Sequence, residues 1–279
     1  MNHDNPIAPQ CPAIVGINVD IESVDSTASG EAGLFGRYSY GRYGLREGVT
    51  RLLSALAETE VKATFYAPVS DLQRHPQLVE SLLERGHEIA VRGRVDKGAS
   101  AEQQLNLLGE ERVVMSRLSG RSPFGWRSLD GIATQQTLPV LARLGYLYDS
   151  SSCDDDLPYA LGDSSGTKLV ELPTMDYLTD ATFYALRHTH ARVRKVWHEE
   201  AEAQFGAGAL VHLTLHTRGD TGSSRLPRVE MVAEFLRWLR RKPGVRIYRA
   251  CDLAQEVLAR ATIEPFPDAP RPQVDGIHA

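Results

Sequence analysis

A chain of 279 residues can bury one barrel-sized core or two smaller ones, and no break in its composition calls for two. With 42% hydrophobic residues, 24% charged residues and a formal net charge of −5, it has no basic surplus for nucleic acid or an anionic membrane. Cys11, Cys153 and Cys251 are odd in number and scattered, so no disulfide framework is expected and a reducing cytoplasm is the default compartment. No apolar run approaches the roughly 18–20 residues of a membrane-spanning helix, and the N-terminus lacks the basic and apolar regions of a signal peptide.

Residues 1–12 read as a disordered leader. Residues 13–19 are nearly all apolar, as in a strand covered on both faces, and Asp20 and Glu22 follow at its C-terminal end. Residues 26–44, rich in Gly, Ser and Tyr without a helical period, read as a long loop over the mouth of the fold. A helix over 48–59, a strand over 62–66 and a helix over 76–85 with proline in its first turn come next. Gly86 stops that helix, residues 87–91 read as a short buried strand, and a loop opening near Gly93 carries Arg92 and Asp96, four apart.

Ser100 with Gln103 forms a capping box for a helix running to Leu118, closed by Gly120. Strands are predicted over 125–127, 146–149, 169–172, 210–215 and 245–248, and helices over 134–144, 191–205, 228–241 and 252–260. A second long loop spans 150–168, and residues 263–279 read as a Pro-rich tail. Strands alternating with helices imply a parallel sheet, and at this length right-handed crossovers favour a (β/α) barrel of seven or eight units over residues 13–262. Residues at the C-terminal strand ends are then the place for chemistry.

Several segments along the chain follow one order. They are Val19-Asp20-Ile21-Glu22, Tyr43-Gly44 with Gly48-Val49-Thr50-Arg51-Leu52-Leu53, Lys62-Ala63-Thr64-Phe65-Tyr66 and His75-Pro76-Gln77-Leu78-Val79. They continue with Gly86-His87-Glu88-Ile89-Ala90, Gly125-Trp126-Arg127-Ser128, Gly145-Tyr146-Leu147-Tyr148-Asp149-Ser150, Asp156-Leu157-Pro158-Tyr159 and Leu215-His216. Over residues 14–256 this series resembles the polysaccharide deacetylase (NodB-homology) family. It is most similar to the branch of intracellular peptidoglycan deacetylase-like proteins, metal-free allantoinases and cyclic imidases. The resemblance implies a distorted (β/α) barrel of seven to eight units and hydrolysis of an N-acyl bond by a metal-held water. It makes Asp20 the base, position 22 a metal ligand, positions 92 and 96 the two metal-binding histidines, Arg127 the residue that orients the base, and His216 the acid.

Here positions 92 and 96 are Arg and Asp. Arginine offers no lone pair and its fixed charge repels a divalent cation, so no metal or other cofactor is expected. Glu22 and Asp96 could still hold a weak hard cation through water.

Each residue keeps two readings. Asp20 is a general base or a carboxylate capping loop amides. Its pKa is raised by Glu22 and lowered by Arg92 or Arg127 in a balance the sequence does not give. Arg92 is an oxyanion-stabilising charge in the cation's place or a salt bridge across a dead site. His216 is the acid or a satisfied histidine at the rim, and the Thr217 after it departs from the family's usual proline. Asp96 reads as a hydrogen-bond acceptor or Arg partner. Tyr43, Trp126, Asp156 and Tyr159 join Arg92 and Asp96 as substrate-binding candidates. Tyr38, Tyr40 and Tyr43 form an aromatic wall or ordinary loop packing. Arg94 is expected to face solvent. Cys153, beside three aspartates, is disfavoured as a nucleophile.

The expected activity is metal-independent hydrolysis of a non-peptide C–N bond in a small anionic or cyclic substrate, with Asp20 or Glu22 activating water, Arg92 and Arg127 steadying negative charge and His216 protonating the leaving nitrogen. The alternative is a degenerate family member that binds a ligand or stabilises a partner. The expected partner is a small molecule, with neither nucleic acid nor membrane, and a homo-oligomer is compatible with the chain.

Overall fold

In the computed structural model, the described residues are 13–22 and 36–267. The leader expected over 1–12, residues 26–35 of the first expected loop and residues 268–279 of the expected tail lie outside them.

The strands are β1 (Ala13–Asp20), β2 (Thr64–Ala67), β3 (Glu88–Gly93), β4 (Gly125–Ser128), β5 (Tyr148–Asp149), β6 (Tyr159–Gly162), β7 (Lys168–Glu171), β8 (Val211–His216), β9 (Val245–Tyr248) and β10 (Ile263–Pro265). The helices are α1 (Tyr40–Tyr43), α2 (Val49–Glu58), α3 (Val69–Arg74), α4 (Pro76–Glu84), α5 (Ala101–Ser119), α6 (Thr137–Arg143), α7 (Asp180–Ala185), α8 (His190–Ala207), α9 (Leu226–Arg241) and α10 (Ala250–Arg260).

Hydrogen bonding orders the strands β10-β6-β7-β5-β4-β3-β2-β1-β8, with β9 also pairing to β1. All pairs are parallel except β6 with β7. Between the β7 and β8 sides, the segment after β7 completes the wall. The Pro173 carbonyl accepts from His212 Nδ1 at 2.6 Å, and Thr179 bridges to Thr214. The result is the expected distorted (β/α) barrel.

Strand alternation sorts the side chains. Val15, Ile17 and Val19 of β1 are fully buried in one core with Leu52 and Leu56 of α2 and Phe235, Leu236 and Leu239 of α9. Asn18 and Asp20 point into the barrel instead, level with Thr214 and His216 of β8 and Thr64 and Tyr66 of β2. The lumen is filled: Tyr66, Ala90, Tyr148 and Val170 pack with Ala250, Leu253 and Ala254 of α10. Gly125 is required there, because a Cβ would lie 1.8 Å from the Tyr148 ring.

The first turn of α10 is tied into the lumen floor. Thr64 Oγ1 accepts the Ala250 amide at 2.8 Å, and Glu88 Oε2 accepts the Cys251 amide at 2.9 Å. Glu88 also accepts from Thr64 and Tyr148 hydroxyls, each at 2.9 Å. Burial pushes its carboxyl pKa up despite these donors.

The structure departs from the sequence reading in several places. Residues 36–44, expected in a loop, are helical and run on through residues 45–48 into α2. The expected loop 150–168 contains β6, which forms a hairpin with β7 around a turn whose Asp163 carboxylate accepts the amides of Ser165 and Thr167. β10, placed in the tail, is a parallel strand on β6. α3 and α7, six residues each, are too short to show a period.

Candidate active site

The pivot of the site is Asp20, the last residue of β1 and buried. Arg127, inward-facing on β4, donates Nη1 to Asp20 Oδ1 at 2.9 Å. Arg92 sits 3.2 Å from Oδ2 through Nη2. Arg92 is also in register with Arg127 across the β3–β4 pair, so it belongs to the strand and not to the loop where the sequence placed it. Its Nη1 donates to Glu22 Oε1 at 3.0 Å and to the Ile21 carbonyl at 3.3 Å, and Nη2 to the Leu129 carbonyl at 3.3 Å.

The two arginines are held differently. Arg127 is fixed by the Ser150 carbonyl at 3.0 Å and Ser150 Oγ at 2.8 Å, and its guanidinium lies 3.9 Å over the Tyr66 ring. Arg92 divides its donors between two carboxylates and two carbonyls, and its buried Nε has no hydrogen-bond partner among the described residues.

His216 closes the other side. Its Nδ1 meets Asp180 Oδ1 at 2.6 Å, and its Nε2 lies 3.7 Å from Asp20 Oδ2. Asp180, at the start of α7 and fully buried, is itself fixed by the amides of His216 and Ser223 at 2.7–3.1 Å. Burial opposes the imidazolium, but the Asp180 charge and hydrogen bond, with Glu22 and Asp20 behind them, outweigh it and raise the His216 pKa to about 9. At Asp20, burial favours the neutral acid; the charges of Arg92, Arg127 and His216 win, so its pKa is lowered. The opposition between Glu22 and the arginines therefore resolves in favour of the arginines. At neutral pH the site holds an Asp20 carboxylate facing a His216 imidazolium.

These pKa shifts set a stability window. Because the folded pKa of His216 is raised, its contribution is complete below about pH 6.5 and is lost as pH rises through about 9. A loss of about 3 kcal/mol is expected between pH 6.5 and 10. Urea unfolding across that range checks it: Asp180→Asn should flatten the slope, and an unchanged slope would refute the pairing.

The remaining candidates fall in different places. Trp126 is 0% exposed and on the face of β4 opposite Arg127, inside the core beneath the helices. It is not a substrate contact, because adjacent strand residues cannot share a face. Asp96 is exposed and its carboxylate accepts the Gly98 amide at 3.0 Å in a turn, outside the cluster. Asp156 is exposed and its carbonyl accepts the amide of Leu210, before β8, whereas His216 ends that strand roughly 20 Å on. Tyr159 is half-buried and donates to Asp154 at 3.0 Å. Tyr43 is buried; its hydroxyl donates to the Ser224 carbonyl at 3.0 Å and Arg225 covers its ring at 4.2 Å. The Tyr38 side chain lies outside the described residues. Arg94 is exposed and pairs with Asp130 at 3.1 Å. Cys153 is exposed, 3.1 Å from Thr174 Oγ1.

Residues 39–148 match the polysaccharide deacetylase family. That stretch carries the match to a polysaccharide deacetylase (NodB) domain. Over 174 residues, 60% of this chain, it is 26% identical to the peptidoglycan deacetylase-like protein FGM2 of Gibberella zeae, and it spans half the length of that relative. A structure from Mycobacterium smegmatis classed with the polysaccharide deacetylases superposes with a TM-score of 0.85 at 28% identity, over 96% of this chain and 97% of the other. The PuuE allantoinase structure shares the fold, with a TM-score of 0.76 at 20% identity over 91% and 92% of the two chains.

The residues of the cluster do not fit the divalent cation that the family resemblance implies. Arg92 places N–H donors between the two carboxylates that would coordinate it, and a guanidinium cannot ligate. Among the described residues no group of three or more His, Cys, Asp or Glu side chains is arranged to hold a metal ion. Three residues of the cluster escaped the sequence reading. Asp180 orients His216, Ser150 locks Arg127, and Arg218 approaches Glu22 Oε2 at 3.9 Å while forking onto Asp220 at 2.8–2.9 Å. Asp180 follows a threonine at a helix start, the one local signal that could have flagged it. No helix among the described residues is long and apolar enough to cross a membrane.

Proposed function

We propose that this chain hydrolyses a non-peptide C–N bond, in an amide, N-acyl group, cyclic imide or ureide of a small substrate, without relying on a bound metal. One observation carries the reading: Asp180, His216 and Asp20 form a line ending in a 3.7 Å gap between Nε2 and Oδ2. That gap is too long for a hydrogen bond, yet one atom set to its side can lie about 2.8 Å from both groups. Such a position suits a water that gives its proton to Asp20, or a leaving nitrogen that takes one from His216.

The chain's own residues then divide the work. Asp20 accepts a proton from water as the oxygen attacks the carbonyl carbon. The negative charge developing on the carbonyl oxygen is met by the arginines. His216 Nε2 protonates the nitrogen as the C–N bond breaks, and Asp180 stabilises the imidazolium before that transfer. Asp20 can act as a base only when a guanidinium withdraws from it. Arg92 is the one able to do so, since Glu22 and two carbonyls offer it other partners while Ser150 and Tyr66 hold Arg127.

A second reading, a degenerate member that binds a ligand, is favoured by the two arginines that already occupy both oxygens of Asp20. Chelator-treated protein, assayed for amine release from N-acyl amides and for ring opening of cyclic imides and ureides, separates the two. Turnover of one class without added metal is expected. Saturable binding with no turnover would establish the binding protein instead, and turnover only on metal addition would overturn metal independence.

A further inference from the structure

Beside the mouth lies a cleft of about 560 Å³ between α7, the loop after β8 and the start of α9. It shares no lining residue with the Asp20 cluster. Arg187, Arg225 and Arg228 line it, and none of the three has a carboxylate partner among the described residues. The cleft's one acidic wall, Asp220, has both oxygens taken by the Arg218 fork, so it cannot neutralise them.

The guanidinium groups are set in place. Arg228 lies 3.8 Å over the Tyr184 ring and donates Nη1 to the carbonyls of Asp220 and Gly222, each at 2.7 Å. Arg225 lies 4.2 Å over Tyr43 and donates Nε to the Gly219 carbonyl at 2.8 Å. Each is therefore anchored through one nitrogen and stacked, with its remaining N–H groups uncommitted, the preorganised fork suited to an oxyanion. Arg225 is also the N-cap of the 16-residue α9 and supplies no side-chain cap, so the positive end of that helix faces the same region.

Arg187 gives an independent indication. It follows the C-cap of α7 with φ +61°, and the amides of Arg187 and His188 return to the carbonyls of Tyr184 and Phe183 in a Schellman closure. Glycine takes that left-handed position without steric cost, yet an arginine stands there, and its side chain makes no hydrogen bond or ion pair among the described residues. The strained backbone aims a third cation at the cleft instead of closing the helix cheaply.

We propose that this cleft is a binding site for an oxyanion, a carboxylate or phosphate group of a small ligand, held by Arg187, Arg225 and Arg228. The test is calorimetric titration of inorganic phosphate, and separately of succinate, into the full chain at low ionic strength. Saturable binding that weakens with salt is expected. It should fall roughly tenfold or more in Arg187→Asn, the loss of one charged donor. Arg187→Gly, which suits the backbone better still, is the second variant and should behave alike. Arg117→Gln on the exposed face of α5 removes the same charge and should leave binding unchanged. Tighter phosphate assigns the cleft to a phosphorylated ligand, and tighter succinate to a carboxylate. Saturation by neither anion, wild-type affinity in both Arg187 variants, or an equal loss in Arg117→Gln would overturn the proposal.

Discussion

Asp20→Asn is expected to abolish turnover and also to cost about 3–5 kcal/mol of stability at neutral pH. The second effect follows from what the carboxylate touches: two buried guanidinium groups and an imidazolium, all within 3.7 Å. An amide at this position cannot balance them, and breaking a buried ion pair by removing one partner leaves the other charge without compensation. The variant should fold, because the apolar cores are untouched, but it should unfold at clearly lower denaturant. Matched urea unfolding curves together with amine-release and ring-opening assays check both halves. A midpoint equal to wild type would show that Asp20 does not hold the arginines in solution, and retained turnover would remove it as the base.

The second large effect is expected from Arg92→Met, which keeps the length of the side chain and deletes the charge. Asp20 and Glu22 then face the space it leaves with one fewer cation between them, at a cost of about 3 kcal/mol or more at pH 7. Two carboxylates without a guanidinium also form a weak site for a hard divalent ion. Millimolar Ca²⁺ or Mn²⁺ should therefore raise the thermal midpoint of Arg92→Met by mass action and leave wild type unmoved. Equal responses in the two proteins would refute the view that the guanidinium stands in a cation's place. The double variant Asp20→Asn/Arg92→Met should lose less than the sum of the single losses, as contacting charges require.

Much of this arrangement can be read in the residues. Val15, Ile17 and Val19 announce a covered strand, and Ser100 with Gln103 builds the capping box at α5 that their spacing predicts. Asp20 and His216 at adjacent strand ends bring the candidate base and acid together. What the sequence hides has physical reasons. Trp126 and Arg127 are neighbours, and only one of two consecutive strand residues can face the lumen; alternation alone would have sent Trp126 outward. Arg92 reads as a loop residue because Gly93 suggests a break, but Gly93 is the last residue of β3. A Cβ there would meet Trp126 and Glu111 within 2.6 Å, so glycine serves close packing and not a turn. Asp180 sits in a helix too short for any period, and its role depends on a contact 36 residues away.

The place of β1 in the sheet has a consequence for biosynthesis. Two of its partners, β8 and β9, are encoded about two hundred residues later, so this strand waits for neighbours made long after it. Until His216 has been made, Asp20 ends a strand whose edge is unpaired and whose countercharges are incomplete. Such non-local pairing slows folding and leaves sticky edges exposed. Assembly of the chemistry is thus a late event, waiting on β8 long after Asp20 has been made.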